Sequence, residues 1–218
     1  MLSFVLRVLS LIWPIRVRRF NSTHYQLDVT WEYGSLVVNS PNANQSFGSL
    51  HRVWRQCLRD LDLKKSQPKE VLILGFGAGS AAHILQKEFR LKCGITGVDH
   101  DPVMLRIARE YFGWSTCADL VLHEADAFQW VREQTRLFDL IVVDLFHDLD
   151  FSEGLLNLDF LRNLKRIAAP ESTILINTVA YDPRSAARSA RLGQQMRLVH
   201  NTVKETHYEG NNRVFIAL

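Results

Sequence analysis

Residues 71–80 read Val-Leu-Ile-Leu-Gly-Phe-Gly-Ala-Gly-Ser, and this stretch decides the fold. Four consecutive aliphatic residues predict a strand that is buried on both faces, as in a parallel sheet. Gly75, Gly77 and Gly79 predict a tight turn, and a helical pattern over residues 81–89 follows. Such a strand, turn and helix N-terminus can hold a nucleotide-like ligand, because glycine allows close approach and the helix start offers free N–H groups.

Acidic residues follow three later apolar stretches of the chain. Asp99 closes the first, Asp126 follows the second, and Asp144 closes the run 138–143. Ligands of open α/β sheets bind at the carboxyl ends of strands, so we expect these carboxylates to converge there, with Asp99 placed to accept hydrogen bonds from ribose hydroxyls. The pattern predicts an α/β protein with a Rossmann-like, doubly wound and mostly parallel sheet.

Antiparallel elements are predicted before and after this sheet in the sequence. Residues 24–30 and 35–40 alternate around a glycine turn and predict a small β-hairpin, and residues 51–63 predict a helix. Residues 196–204 and 213–217 predict a C-terminal antiparallel hairpin. The predicted organisation is an amphipathic N-terminal segment (1–22), a hairpin-plus-helix unit with the substrate loop (23–67) and a Rossmann-like domain (68–218).

The charge, hydropathy and cysteine content of the chain limit which partners and which location are predicted. The chain of 218 residues has a net charge of +3, but its first 22 residues hold four arginines and no acid, so the remainder has a net charge of −1 and no nucleic-acid partner is predicted. The N-terminal apolar stretch is interrupted by Arg7 and closed by Pro14, so no stable membrane span is predicted; packing on protein or on a membrane surface stays open. The three cysteines are widely spaced and predict neither a disulfide framework nor a metal site, and reduced thiols favour a cytoplasmic location.

The motifs together resemble the spermidine synthase-like branch of the class I S-adenosylmethionine-dependent transferases. The resemblance covers about residues 22–218. Residues 33–46 resemble the N-terminal hairpin and substrate loop of that branch. The sequences that carry the resemblance downstream are V-L-I-L-G-x-G-x-G from Val71, G-V-D-x-D-P from Gly97, A-D-A from Ala125 and F-D-L-I-V-V-D-L-F from Phe138.

The resemblance implies a group transferase that binds S-adenosylmethionine or its decarboxylated form and transfers a methyl or aminopropyl group to a small polar or amine acceptor. It implies no metal, and family members commonly pair into homodimers through their N-terminal regions. Asp144 stands at the position of the family's catalytic acid, and His147 is a second catalytic candidate, with a surface position as the open alternative. The other implied site residues are Gly75, Gly77 and Gly79 at the methionine-derived part, Asp99 at the ribose, Asp126 and Ala127 at the adenine, and Gln45, His51 and Trp54 in the substrate loop.

The sequence departs from the polyamine synthases at three places. Ala78 stands where they carry an aspartate, the family's D-S-S-D reads Asp144-Leu-Phe-His147, and residues 48–54 lack the expected acids and tyrosine. Because a diamine needs acids around it, these losses argue against ordinary putrescine as the substrate. We also expect Ala78 to favour intact S-adenosylmethionine, since no acid would repel its carboxylate at the helix N-terminus.

Two other functions stay open at this point. A catalytically inactive nucleoside-binding homologue would keep the pocket and serve a regulatory or assembly role. A nicotinamide-dependent dehydrogenase is less favoured, because Ser80 occupies the sixth position of its glycine motif. Asp126 has the alternative role of capping the helix that begins at Ala127. The arginines between residues 184 and 197 predict a solvated helix face.

Overall fold

The structure is a computed structural model and describes residues 2–23 and 25–218. Before residue 68 the chain forms a short helix, four strands and two more helices. They are α1 (Leu2–Leu9), β1 (Ile15–Asn21), β2 (Gln26–Glu32), β3 (Ser35–Asn39), β4 (Asn44–Ser46), α2 (Gly48–Asp60) and α3 (Leu63–Ser66). The four strands form one antiparallel sheet in chain order.

After residue 68, strands and helices alternate around a second, larger sheet. The strands are β5 (Glu70–Leu74), β6 (Gly94–Asp99), β7 (Leu120–Glu124), β8 (Phe138–Val143), β9 (Phe146–His147), β10 (Asp150–Phe151), β11 (Ala168–Val179), β12 (Val203–His207) and β13 (Asn212–Ala217). The helices are α4 (Ser80–His83), which continues as a π-helix (Ile84–Glu88), α5 (Pro102–Tyr111), α6 (Ala127–Glu133), α7 (Leu158–Arg166) and α8 (Pro183–Val199), with 3₁₀ turns at Trp114–Thr116 and Glu153–Leu156.

The larger sheet has seven strands in the order β12-β13-β11-β8-β5-β6-β7. Strands β11, β8, β5, β6 and β7 run parallel, and β13 is antiparallel to both of its neighbours. From β5 the chain continues to β6 on one side and later to β8 on the other, so the winding reverses beside β5. The predicted doubly wound sheet with a C-terminal antiparallel hairpin is confirmed.

Alternate residues of β5 pack on opposite faces of the larger sheet, as the pleat of a strand requires. Val71 and Ile73 join one core, which includes Trp54 and its neighbours on α2. Leu72 and Leu74 join the other core, on the side of α7 and α8. Helix α2 therefore covers one face of the larger sheet, although it belongs to the N-terminal part of the chain.

The N-terminal region has more strand than the sequence pattern predicts. The predicted hairpin is present, but residue 24 lies outside the described residues. Residues 15–21, predicted within an amphipathic segment, form β1 and pair with β2. The sequence pattern predicts a loop over residues 39–49, but this segment contains β4. None of the helices within the described ranges combines the length and apolar character needed to cross a membrane.

The predicted strand over residues 196–204 is wrong over residues 196–202. Residues 196–199 continue α8, and β12 begins at Val203. Leu192 and Met196 are one helical turn apart and both are fully buried in the core, which stabilises the longer helix. The sequence pattern also predicts a strand over residues 173–178, whereas β11 already begins at Ala168.

Candidate active site

A cavity of about 750 Å³ opens at the carboxyl ends of β5, β6 and β8, where the winding of the sheet reverses. This is where doubly wound sheets bind their ligands, and the volume suits a small organic ligand. Most residues of the predicted site line the cavity: Gln45, Trp54, Gly75, Gly77, Asp99, Asp126, Ala127, Asp144 and His147. Gly79 and His51 are not among its lining residues.

The glycine turn after β5 needs glycine for two different reasons. Gly75, Gly77 and Gly79 have φ angles of 78°, 58° and 93°, a region that other residues avoid. A Cβ on Gly75 would lie 2.1 Å from the carbonyl oxygen of Asp144. A Cβ on Gly79 would meet the indole of Trp114 at 2.3 Å, so Gly79 packs behind the turn and does not face the cavity.

Ala78 does not face the cavity either. Its side chain is fully buried in a hydrophobic cluster with Phe20, Val29 and Met104. Its N–H donates to Ser46 Oγ at 3.1 Å, and its carbonyl accepts from the Trp114 indole at 2.9 Å. The preference for intact S-adenosylmethionine that was expected from Ala78 stays a prediction, and this geometry does not support it, because the Ala78 side chain faces the apolar cluster.

Asp99 is fixed by the main chain around it. It ends β6, and its Oδ2 accepts the Gly77 N–H at 2.8 Å while its Oδ1 accepts the Asp101 N–H at 3.0 Å. Burial raises the pKa of the Asp99 carboxyl, although these two N–H bonds oppose that shift. Each carboxylate oxygen has a second lone pair, so Asp99 can still accept a hydrogen bond from a ligand.

Asp126 caps a helix and also lies at the cavity, so both roles that the sequence left open for it, capping and ligand contact, fit its position. Its Oδ1 accepts the N–H of Gln129 at 2.8 Å and caps α6. Asp126 and Ala127 also line the cavity. Capping and ligand contact are compatible, because Oδ2 is not used in the cap.

Asp144 is held by side chains that come from distant parts of the chain. Its Oδ2 accepts the indole N–H of Trp54 at 2.8 Å, and its Oδ1 accepts the amide N–H of Asn177 at 3.0 Å. Burial raises the pKa of the Asp144 carboxyl to about 6, while both hydrogen bonds oppose the shift. A carboxyl group with this pKa is mostly ionised at neutral pH and can still take up a proton.

The segment after Asp144 folds back as a short two-stranded ribbon of β9 and β10. His147 lies at the cavity, with its ring 6.2 Å from that of Tyr25. The two Asp148 oxygens accept from Ser40 Oγ and Asn42 Nδ2, both at 2.7 Å. Asp148 therefore ties this ribbon to the loop before β4.

His51, which the sequence places in the substrate loop, is turned away from the cavity. It is buried on α2, its Nε2 forms a 2.7 Å hydrogen bond with Glu88 Oε1, and its ring stacks on Phe47. Burial lowers the pKa of His51. The same loop does bring Gln45 to the cavity, where its amide donates to Ser40 Oγ at 3.0 Å.

Sequence reasoning missed two residues of the cavity. Asn177 is 1% exposed on β11 and contacts Asp144; an asparagine in an otherwise apolar strand is the signal that could have found it. Arg188 was expected on a solvated face, which is wrong. It lines the cavity, where it donates to Asp150 Oδ1 at 3.1 Å and to the Phe151 carbonyl at 2.8 Å.

The carboxylates of the cavity are hydrogen-bonded to neutral donors. Asp99, Asp144 and Asp148 accept from main-chain N–H, indole, amide and hydroxyl groups. Within the described ranges, no lysine or arginine lies at ion-pair distance from these three, whereas acids elsewhere, such as Asp28 and Glu209, pair with arginine. A cavity of this kind attracts cations.

Comparison with known proteins agrees with this geometry. Residues 71–171 match the methyltransferase domain family. A polyamine aminopropyltransferase from Vibrio vulnificus is 25% identical over 159 residues, which cover 70% of this chain and 51% of that protein. A human eEF1A lysine and N-terminal methyltransferase is 28% identical over 138 residues, which cover 57% of this chain and 20% of that protein. The chain thus spans about half and about a fifth of the length of these relatives.

A solved structure extends the similarity to the N-terminal sheet. A probable spermidine synthase from Corynebacterium glutamicum superimposes with a TM-score of 0.71 at 17% identity, over 92% of this chain and 79% of that one. At this identity the match shows the fold. Taken together, the domain match, the relatives and the fold make the chain similar to the spermidine synthase-like branch of the class I methyltransferase-fold superfamily.

Proposed function

We propose that the protein is a transferase that takes a carbon group from S-adenosylmethionine, or from its decarboxylated form, and gives it to a small amine. The observation that carries this proposal is the position of Asp99 and Asp144 on one cavity, at the ends of the strands on either side of β5. The first carboxylate suits a nucleoside, and the second suits a reacting amine. Their uncompensated charge suits a cationic reactant.

The residues of the cavity fit a nucleoside with a positively charged sulfur. Asp99 would accept the ribose hydroxyls, and Asp126 with Ala127 would contact the adenine. Gly75 and Gly77 would let the main chain approach the ligand closely. When bound, S-adenosylmethionine supplies a carbon whose bond to sulfur breaks, with the electron pair going to sulfur, as the amine lone pair forms the new bond.

Asp144 would manage the proton of this reaction. An amine that binds in its protonated form has no free lone pair, so Asp144 would first take one of its hydrogens as a proton. The neutral nitrogen then forms the bond to carbon and carries the positive charge that leaves the sulfur. Asp144 suits this role because burial raises its pKa to about 6, which makes it a stronger base than an exposed aspartate. Positioning of the two reactants in the cavity would supply the remainder of the rate acceleration.

His147 has a weaker claim to a catalytic role. It lies at the cavity on the β9–β10 ribbon, and its side chain is exposed. We propose that it contacts the acceptor and that Asp144 is the base. The alternatives of an inactive homologue and a nicotinamide dehydrogenase are not favoured, because the relatives carry transferase names and Asp144 stands in the cavity.

Two measurements test the proposal. Mass spectrometry of ligand that copurifies with the protein should find S-adenosylmethionine, its decarboxylated form or a thioether product. Calorimetry should then give the affinities for both sulfonium nucleosides and decide which is the donor. Failure of both nucleosides to bind would contradict the proposal.

Turnover is the third measurement. With the donor that binds more tightly, the protein should transfer a methyl or aminopropyl group to a member of a panel of small amines. Asp144→Asn should still bind the donor, with a loss of less than about tenfold from the missing negative charge, and should lose at least about 100-fold in rate. Tight donor binding without turnover on any amine would point to the inactive homologue. Homodimer formation stays a prediction that light scattering can check.

A further inference from the structure

Asn177 has a buried acceptor atom with no partner. The residue is 1% exposed and lines the cavity. Its amide N–H group donates to Asp144 Oδ1 at 3.0 Å, but its own Oδ1 has no hydrogen-bond partner among the described residues. A buried acceptor without a donor costs about 1–3 kcal/mol, so its presence beside a cavity points to a donor supplied by a ligand.

The orientation of this amide is fixed by its neighbour. A carboxylate accepts hydrogen bonds and donates none, so the NH₂ group of Asn177 must face Asp144. The amide oxygen is then the atom left over. The opposite side of Asp144 is held by Trp54, whose indole is a donor only.

Two acceptors of different charge are thus adjacent at one end of the cavity. Asp144 Oδ1 is ionised, and Asn177 Oδ1 is neutral. A group that satisfies both must offer two hydrogens from one atom or from close neighbours. A protonated primary or secondary amine has at least two N–H hydrogens, whereas a protonated tertiary amine, a hydroxyl or a thiol has one.

We propose that Asn177 Oδ1 is a specificity-determining contact that selects acceptors whose reacting nitrogen carries at least two hydrogens. Asp144 accepts one hydrogen of this nitrogen and Asn177 accepts the second. Tertiary amines, hydroxyls and thiols leave the Asn177 oxygen without a donor and are rejected for that reason. The inference rests on the proposed function in that it takes this end of the cavity as the acceptor end.

The chain offers a matched pair of variants. Asn177→Leu and Trp54→Phe each remove one N–H donor from Asp144, so both should move the acid limb of the pH–rate profile to higher pH. Only Asn177→Leu also removes the unpartnered oxygen. A difference between the two variants therefore reports on that oxygen and not on the placement of Asp144. Asn177→Ala serves the same purpose if the leucine variant does not fold.

The readout is binding, measured by calorimetry with putrescine and its tetramethyl derivative, which serve as charge-matched probes and not as the expected substrate. Both probes are dications, so their charge is matched, but each nitrogen offers three hydrogens in one and one in the other. We expect wild-type protein to prefer putrescine, and Asn177→Leu to reduce this preference about tenfold. Trp54→Phe should keep the preference to within about threefold.

An unchanged preference in Asn177→Leu would overturn the inference, as would equal losses in both variants or no preference in the wild type. Turnover separates this result from the proposed function. Preference without transfer to any amine would contradict the function and support the inference. Transfer to an amine together with an unchanged preference in Asn177→Leu would support the proposed function and contradict the inference.

Discussion

The two ends of the cavity hold their carboxylates by different means. Asp99 is fixed by main-chain N–H groups, those of Gly77 and Asp101. Asp144 is fixed by side chains, those of Trp54 and Asn177. Main-chain bonds survive most substitutions of the residues that make them, and side-chain bonds do not. The proposed nucleoside end is therefore determined by the path of the backbone, and the proposed acceptor end by the identity of a few residues.

The largest expected effect is on stability, and it comes from adding a side chain at Gly75, where the glycine turn contacts the main chain of Asp144. In Gly75→Ala the new Cβ overlaps the carbonyl oxygen of Asp144. We expect this overlap and the positive φ to lower the free energy of unfolding by at least about 3 kcal/mol, measured by urea denaturation. Gly113→Ala is the matched control, since Gly113 has a φ of 76° and nothing within 4 Å. The free energy of unfolding of Gly113→Ala should fall by about 1–2 kcal/mol. Similar losses in both variants would show that small shifts of the structure remove the overlap at Gly75.

The second prediction tests the main-chain end. Asn at position 99 has one acceptor oxygen, so its NH₂ group must oppose the N–H of Gly77 or of Asp101. We expect Asp99→Asn to weaken binding of S-adenosylmethionine about 100-fold in calorimetry. Asp126→Asn is the control, because asparagine caps α6 as well as aspartate does. Asp126→Asn should bind S-adenosylmethionine less than about fivefold more weakly than wild type. A loss of affinity equal to that of Asp99→Asn would mean that the two acids contribute equally to binding.

The third prediction concerns pH and the side-chain end. Burial raises the pKa of Asp144 from 3.8 to about 6, so the folded state binds this proton more tightly than the unfolded state does. Its contribution to stability is full below about pH 4 and is lost as the pH rises through about 6. Asp144→Asn has no such proton, and rotation of the Asn177 amide would satisfy its NH₂ group.

The free energy of unfolding of Asp144→Asn should therefore rise relative to wild type by about 1–2 kcal/mol between about pH 4 and pH 7. This value is smaller than the full pKa shift implies, because solvent reaches part of the side chain. Chemical denaturation at several pH values gives the comparison. A difference that does not change with pH would mean that the carboxylate is not strained at neutral pH.

The smallest effect is expected at the tie between the ribbon and the loop before β4. Asp148 has a φ of 56°, which asparagine tolerates, so Asp148→Asn should fold normally. It weakens the bonds from Ser40 and Asn42, and we expect a loss of less than about 1 kcal/mol in unfolding free energy. Limited proteolysis should show faster cleavage near residues 40–45 and 147–150. Unchanged cleavage would mean that the tie does not order these loops.

The same contrast explains what the sequence could reveal. The glycine turn, Asp99 and Asp144 are each next to a buried strand, so strand pattern and spacing place them at one sheet edge. The bond from Trp54 to Asp144 joins residues 90 apart, and the bond from Asn177 spans 33. No local pattern encodes such contacts. His51 was placed in the site by its neighbours in sequence, but a helix turns neighbours to different sides, and its side faces Glu88.

The fold was predictable where a strand is buried on both faces. Strands β5 and β8 each contain four consecutive apolar residues (71–74 and 140–143), and both were located from the sequence. Strand β1 is mostly exposed and rich in arginine, so its pairing with β2 depends on hydrogen bonds that composition does not show. At residues 196–199 the apolar residues fit both a helix and a strand, and packing against the core decides for the helix.

The acidic lining of the cavity has a consequence for how a catalytic cycle ends. In the proposed reaction, Asp99, Asp144 and Asp148 would attract the positively charged sulfonium as it arrives. Transfer converts that sulfonium to a neutral thioether, and the attraction of the lining disappears with the charge. The departing nucleoside is then held by shape and hydrogen bonds alone, so the chemical step itself would loosen the spent donor and favour exchange for a fresh one.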